Sequence, residues 1–241
     1  MVLQDLFDTL ASGEFANISL ANSVTGSIKE EAYPRIVRAI NRGLLELYKR
    51  FILKKKKVYI VQQDGLTHYY LRTSYLGFLN STTVNSYLLD HPTEDFQDDV
   101  LRILGITDKE GTVVPLNPSP PITDKTFFQS SQYDVLNLET VDTGQVFTIE
   151  YQAKYPQIII TETFDPEVYQ LYYPPFIEEA LINYVASSLI KGKTTKASEG
   201  EGYASNTFAA RYENACAKLI ELGIAEEAAF QDNRFKTKGF V

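Results

Sequence analysis

Few residues in this chain carry chemistry of their own. They are two histidines, His68 and His91, one cysteine, Cys216, and a run of four lysines, Lys54, Lys55, Lys56 and Lys57. A metal centre needs ligands clustered at helix or turn spacing. His68 and His91 belong to neither an H-x-x-x-H pair nor a Cys/His pair, so they read as ordinary strand or loop histidines. Cys216 falls beside Ala215 on an apolar helical stripe, where a thiol behaves as a small hydrophobe rather than a nucleophile. A lone cysteine forms no intrachain disulfide, which fits folding in a cytoplasm. The chain has neither G-x-x-x-x-G-K-[ST] nor G-x-G-x-x-G, and Gly192, Gly200 and Gly202 follow a helix instead of leading from a strand into one. Adjacent carboxylates occur at Glu30 and Glu31, Asp98 and Asp99, Glu178 and Glu179, and Glu226 and Glu227. Neighbours on a helix point in different directions, so adjacency alone makes no acid and base pair. The expectation is a protein that is not an enzyme, with no catalytic, cofactor-binding or metal-ligating residue and no cofactor.

Composition narrows the remaining classes. The chain has 241 residues, 44% hydrophobic and 22% charged, within the range of ordinary folded proteins. No apolar run approaches the roughly 18–20 residues of a membrane span, and the opening MVLQDLFDTL lacks the basic start and apolar stretch of a secretory leader. No membrane partner is expected. A net charge of −8 argues against a surface built to grip nucleic acid, while an acidic wall suits a conduit that DNA slides past. The four lysines are explained by a solvated helix C-terminus, where cations complement the helix dipole. The functional alternative is a basic rim facing an acidic neighbour or passing DNA. With 16 tyrosines, 14 phenylalanines and no tryptophan, some of the tyrosines are expected at interfaces.

Periodicity supplies the elements. Tyr33, Ile36, Ile40, Leu44, Leu47 and Phe51 recur at spacings of three and four, which predicts an amphipathic helix over about 28–53. Ser27 and Glu30 match a capping box and place its start at Ser27; Pro34 would then kink it, and a start nearer Pro34 is the alternative. Past Lys57 the period falls to two. Val58, Ile60 and Gln62 alternate with Tyr59, Val61 and Gln63, and Asp64-Gly65 reads as the turn of a hairpin whose second strand is 67–73. Residues 100–107 and 112–116 form another strand pair around Asp108-Lys109-Glu110-Gly111, and 146–153 with 157–161 a further candidate pair. Four prolines in 115–121 demand an irregular loop.

Helix returns after Pro174-Pro175, with Phe176, Ile177, Ala180, Leu181, Tyr184, Val185, Ser188 and Leu189 on its buried face and Gly192 as its stop. Residues 191–202 read as a loop. Ser205 or Asn206 then caps a last long helix carrying Phe208, Tyr212, Ala215, Cys216, Leu219 and Leu222 and ending near Gly223. Residues 224–230 are a candidate short helix. The tail 231–241, with Arg234, Phe235, Lys236, Lys238 and Phe240, is expected to order only on a partner. The fold class is α+β: a discontinuous helical-bundle domain, residues 1–56 with 165–241, and an inserted β-rich domain, residues 57–164. The expected core of the helical domain is Ile36, Ile40, Leu44, Leu47, Phe51, Leu181, Tyr184, Phe208, Tyr212 and Leu219. The expected interface or channel residues are the four lysines together with Arg234, Phe235, Lys236, Lys238 and Phe240.

Three segments in order carry a resemblance to a known family. They are 31–51 (EAYPRIVRAINRGLLELYKRF), 144–156 (GQVFTIEYQAKYP) and 174–189 (PPFIEEALINYVASSL), the last followed by a polar loop and the Arg211-Tyr212-Glu213 helix. Together they resemble the head-to-tail adaptor, or connector, proteins of tailed bacteriophages, including the tail tubular protein A type of short-tailed phages. The resemblance implies a structural protein of the virion, made in the host bacterial cytoplasm and placed at the head–tail junction. It implies a ring of about twelve copies that docks on the portal protein through its helical domain and extends the DNA channel. The same ring would give a platform to the downstream tail or nozzle protein, with DNA passing through and no sequence read. Another phage neck or tail-completion protein is the nearest alternative, and a virion-associated peptidoglycan hydrolase is a more distant one.

Overall fold

The computed structural model describes residues 1–12, 26–77, 86–118, 128–138, 144–191 and 199–224. Helices and antiparallel sheets are both present, so the class is α+β. Contacts divide the chain into two compact units, Met1–Ile52 with Tyr155–Val241, and Leu53–Lys154. These junctions differ from those expected above. Lys54, Lys55 and Lys56 go with the sheet-forming unit, and residues 155–164 go with the helical one.

The helical unit begins with α1 (Leu3–Ser12), which buries Leu3, Leu6, Phe7 and Leu10. Those positions follow helical spacing. The first amides of α1 have no partners within the helix and need them elsewhere. Leu3 N donates to Tyr169 O at 2.9 Å and Gln4 N to Pro166 O at 3.0 Å, which ties the chain start to the segment before the third helix.

Helix α2 (Tyr33–Arg50) is preceded by a 3₁₀ turn at Glu30–Ala32. Neither end of that turn is closed by a side-chain cap, so the Ser27–Glu30 capping box does not start the helix. Pro34 instead lies in the first turn, where its missing N–H costs nothing. The helix stops at Arg50, because Phe51 is already extended at φ −118°. Ile36, Ile40, Leu44, Leu47 and Phe51 are all buried.

Helix α3 (Glu178–Lys191) follows a 3₁₀ turn at Pro175–Ile177, and it packs against α1, α2 and α4 (Glu199–Glu221). Helix α4 starts before Ser205 and Asn206, which therefore lie inside it and do not cap it. It ends at Glu221, and Gly223 follows at a φ of +79° that suits a residue without a side chain; Gly223 N reaches Ile220 O at 2.9 Å. Leu181 and Leu219 are buried, whereas Tyr184, Phe208 and Tyr212 are half-buried. The Tyr184 and Tyr212 rings meet edge to face at 5.4 Å across α3 and α4.

Gly43 sets the approach of α2 to α3. A Cβ there would stand 2.8 Å from Leu181 Cδ1 and 2.9 Å from Tyr184 Cδ1. Gly43→Ala gains about 1 kcal/mol of helix propensity and loses about 1–3 kcal/mol to overpacking. A net destabilisation of up to about 2 kcal/mol is expected in urea unfolding; a more stable alanine variant would show that the helices part freely.

The second unit holds every described strand. Five form one antiparallel sheet in the order β3 (Leu88–Asp90), β1 (Lys55–Val61), β8 (Val146–Ala153), β4 (Val100–Thr107) and β5 (Val113–Val114). Three form another, in the order β2 (His68–Tyr70), β7 (Val135–Leu138) and β6 (Phe128–Gln132). Gly65 makes the expected turn at φ +71°, but β1 and β2 do not pair. They enter different sheets, so the expected hairpin is absent. The β4 and β5 pair matches expectation. Residues 157–161 are not a strand, and β8 pairs with β1 and β4. Val58, Ile60, Tyr69, Phe128, Phe147, Ile149 and Tyr151 belong to one core cluster, in which the Phe128 and Phe147 rings cross at 83°.

Candidate interaction surfaces

The lysine run is a strand and its approach, not a helix terminus. Side chains on β1 alternate between faces. Lys55 and Lys57 are accordingly exposed, while Lys56 is 7% exposed. Lys54 pairs with Glu94 at 3.6 Å and Lys55 with Glu150 at 3.5 Å, both across partly exposed side chains of small energetic weight. Lys56 differs. Its Nζ lies 2.9 Å from Asp99 Oδ2 and donates to Asp95 O at 2.9 Å. Tyr151, fully buried, donates to Asp99 Oδ1 at 3.0 Å. Burial, then the Asp99 charge and its hydrogen bond, push the Tyr151 hydroxyl far above its ordinary pKa, so it remains a donor. One of the four candidate rim lysines is thus the cation of a buried network.

The carboxylate pairs also separate. Asp98, at φ +53°, accepts from Thr73 N and Thr73 Oγ1 at 2.6 Å each and fixes a turn, while Asp99 faces Lys56. Glu179 pairs with Lys218 at 3.0 Å between α3 and α4, and Arg50 with Glu213 at 2.7 Å between α2 and α4. His68 meets Thr67 Oγ1 and His91 meets Thr93 Oγ1, each at 2.8 Å. Cys216 is fully buried. No group of three or more potential metal ligands occurs among the described residues. No helix among them is long and apolar enough to cross a membrane. Arg234, Phe235, Lys236, Lys238 and Phe240 lie outside the described residues, as do residues 225–230, 192–198 and, in the proline-rich loop, 119–121.

What the helical unit offers is surface. Ile159, Val168 and Tyr172 are 68%, 70% and 81% exposed, and Phe176 is 46% exposed, all on the segment that runs from residue 155 into α3. That segment is held at one point by Asn41, whose side chain donates to Ile158 O and accepts from Ile158 N, both at 2.9 Å. A groove of about 360 Å³ runs between Arg38, Arg42 and Leu45 of α2 and Gln157, Ile158 and Ile160. Beside it lies a second groove of about 570 Å³, sharing Pro34 and Ile160, with an acidic rim. Apolar side chains exposed in this density mark contact surfaces more often than reaction sites. The sequence reading missed this segment because 157–161 looked like a strand. No protein-family model matches the chain, and no curated protein matches it.

Proposed function

We propose that the chain is a head-to-tail adaptor of a tailed bacteriophage, a structural and non-catalytic component of the virion. The reading is carried by the order of the three resembling segments along the chain. Residues from both ends contribute to the helix-bearing unit and the strands lie between them, which supports a discontinuous helical-bundle domain with an inserted β domain. The exposed apolar side chains between residues 159 and 176 give such a protein contact surface on its helical unit. In this reading about twelve copies form a ring on the portal at the head–tail junction. The helical domain faces the portal, the ring prolongs the DNA channel, and the next tail or nozzle protein attaches below it.

The test is assembly on portal rings from the same genome. Purified chain mixed with those rings is expected to co-sediment at about one copy per portal subunit and to appear in electron micrographs as an added layer around the channel. A chain that stays monomeric beside intact portals would overturn the reading. So would reproducible clearing of a bacterial cell-wall suspension that a single carboxylate substitution abolishes.

A further inference from the structure

The acidic groove of the helical unit has two features that no contact described above satisfies. Glu30, Glu162, Asp165 and Glu167 border it; all four are exposed, and none is in a salt bridge among the described residues. Its floor is aromatic. The half-buried Tyr33 ring lies 5.1 Å from Phe7 and 6.2 Å from Phe164, and Phe164 lies 5.9 Å from Tyr169. Burial, and then the charges of Glu30, Asp165, Glu167 and Asp8, raise the Tyr33 hydroxyl above its ordinary pKa. Negative potential therefore converges on an aromatic surface. A peptide that combines cations with aromatic rings complements both features.

The chain carries such a peptide. Residues 231–241 read QDNRFKTKGFV, with Arg234, Lys236 and Lys238 at alternate positions and Phe235 and Phe240 among them. In an extended backbone the three cations share one face. Lys218, in the last turn of α4, is held at 3.0 Å to Glu179 in the first turn of α3. Ten residues, 168–177, separate that turn from Glu167 at the edge of the groove. Residues 225–233 can span about 30 Å when extended. Tethering through a linker of this length gives an effective concentration near the millimolar range, enough to populate a weak contact.

We propose that residues 231–241 dock in this groove of their own chain, with the cations over the carboxylate rim and the phenylalanine rings against Tyr33 and Phe164. A partner that takes the tail must then displace it. The inference needs only one copy and does not rest on the adaptor reading.

Hydrogen–deuterium exchange of the full chain tests it. Amides of 233–240 are expected to exchange at least about fivefold more slowly than in an Asp165→Lys/Glu167→Lys variant, equally at low and high protein concentration. Arg234→Glu/Lys236→Glu/Lys238→Glu, a change confined to the tail, is expected to abolish the protection whether or not the groove variant folds. Combining the two sets of reversals is expected to restore it. Tail amides that exchange freely in the unmodified chain would overturn the proposal. Protection indifferent to both sets of reversals would do the same, and protection that grows with concentration would reassign the groove to a second copy.

Discussion

Lys56→Met is expected to destabilise the sheet-forming unit by about 3–5 kcal/mol in urea unfolding, far more than the loss of an ordinary surface lysine. The side chains of Lys56 and Asp99 are only 6% and 10% exposed. Removing the ammonium leaves the Asp99 carboxylate with the Tyr151 hydroxyl and no countercharge, and it also frees Asp95 O. Most of the cost is that of the charge left behind, not the intrinsic worth of the pair. The triple change Lys56→Met/Asp99→Leu/Tyr151→Phe removes every member and is expected to lie within about 2 kcal/mol of the parent. A single variant that loses less than about 1 kcal/mol would mean water reaches the pair and the burial is not as described.

Leu44→Asp, and equally Ile40→Asp, is expected to abolish soluble folding. Both positions are at most 1% exposed, on a helix that packs against α3. The substitution loses about 1.5–3 kcal/mol of leucine burial and adds several kcal/mol for a carboxylate with no partner. Together these approach the whole stability of a typical domain, about 5–15 kcal/mol. Leu44→Met keeps the volume and is expected to cost under about 1.5 kcal/mol. A soluble Leu44→Asp protein with a cooperative melt would show that this face is not core.

Helix α2 was legible because its signal is local: six apolar positions at helical spacing needed no knowledge of their partners. Its start was read two ways because two local rules competed, and the structure follows the alternative nearer Pro34. The serine–glutamate box matched in sequence, yet Pro34 fits the first turn and nowhere deeper. The lysines were misread for a different reason. Four cations after a helix look like a terminus, and the carboxylate that buries Lys56 lies on a distant stretch of chain. The Asp64-Gly65 turn was readable, but a turn does not say which strands pair; β1 found β8 and β3 instead of β2. The groove was invisible for the same reason, since Glu30 and Glu167 share a rim only after α1, α2 and the segment before α3 have packed.

The pairing of β1 with β8 governs more than one sheet. Residues 55–61 run antiparallel to 146–152, and Ala153 N donates to Lys54 O at 3.0 Å. The chain therefore enters and leaves the sheet-forming unit one strand spacing apart, about 5 Å. For the helical segments on either side, the intervening residues amount to a closed clip. Lengthening or exchanging what hangs from that clip leaves unchanged the gap that α2 and residue 155 must bridge.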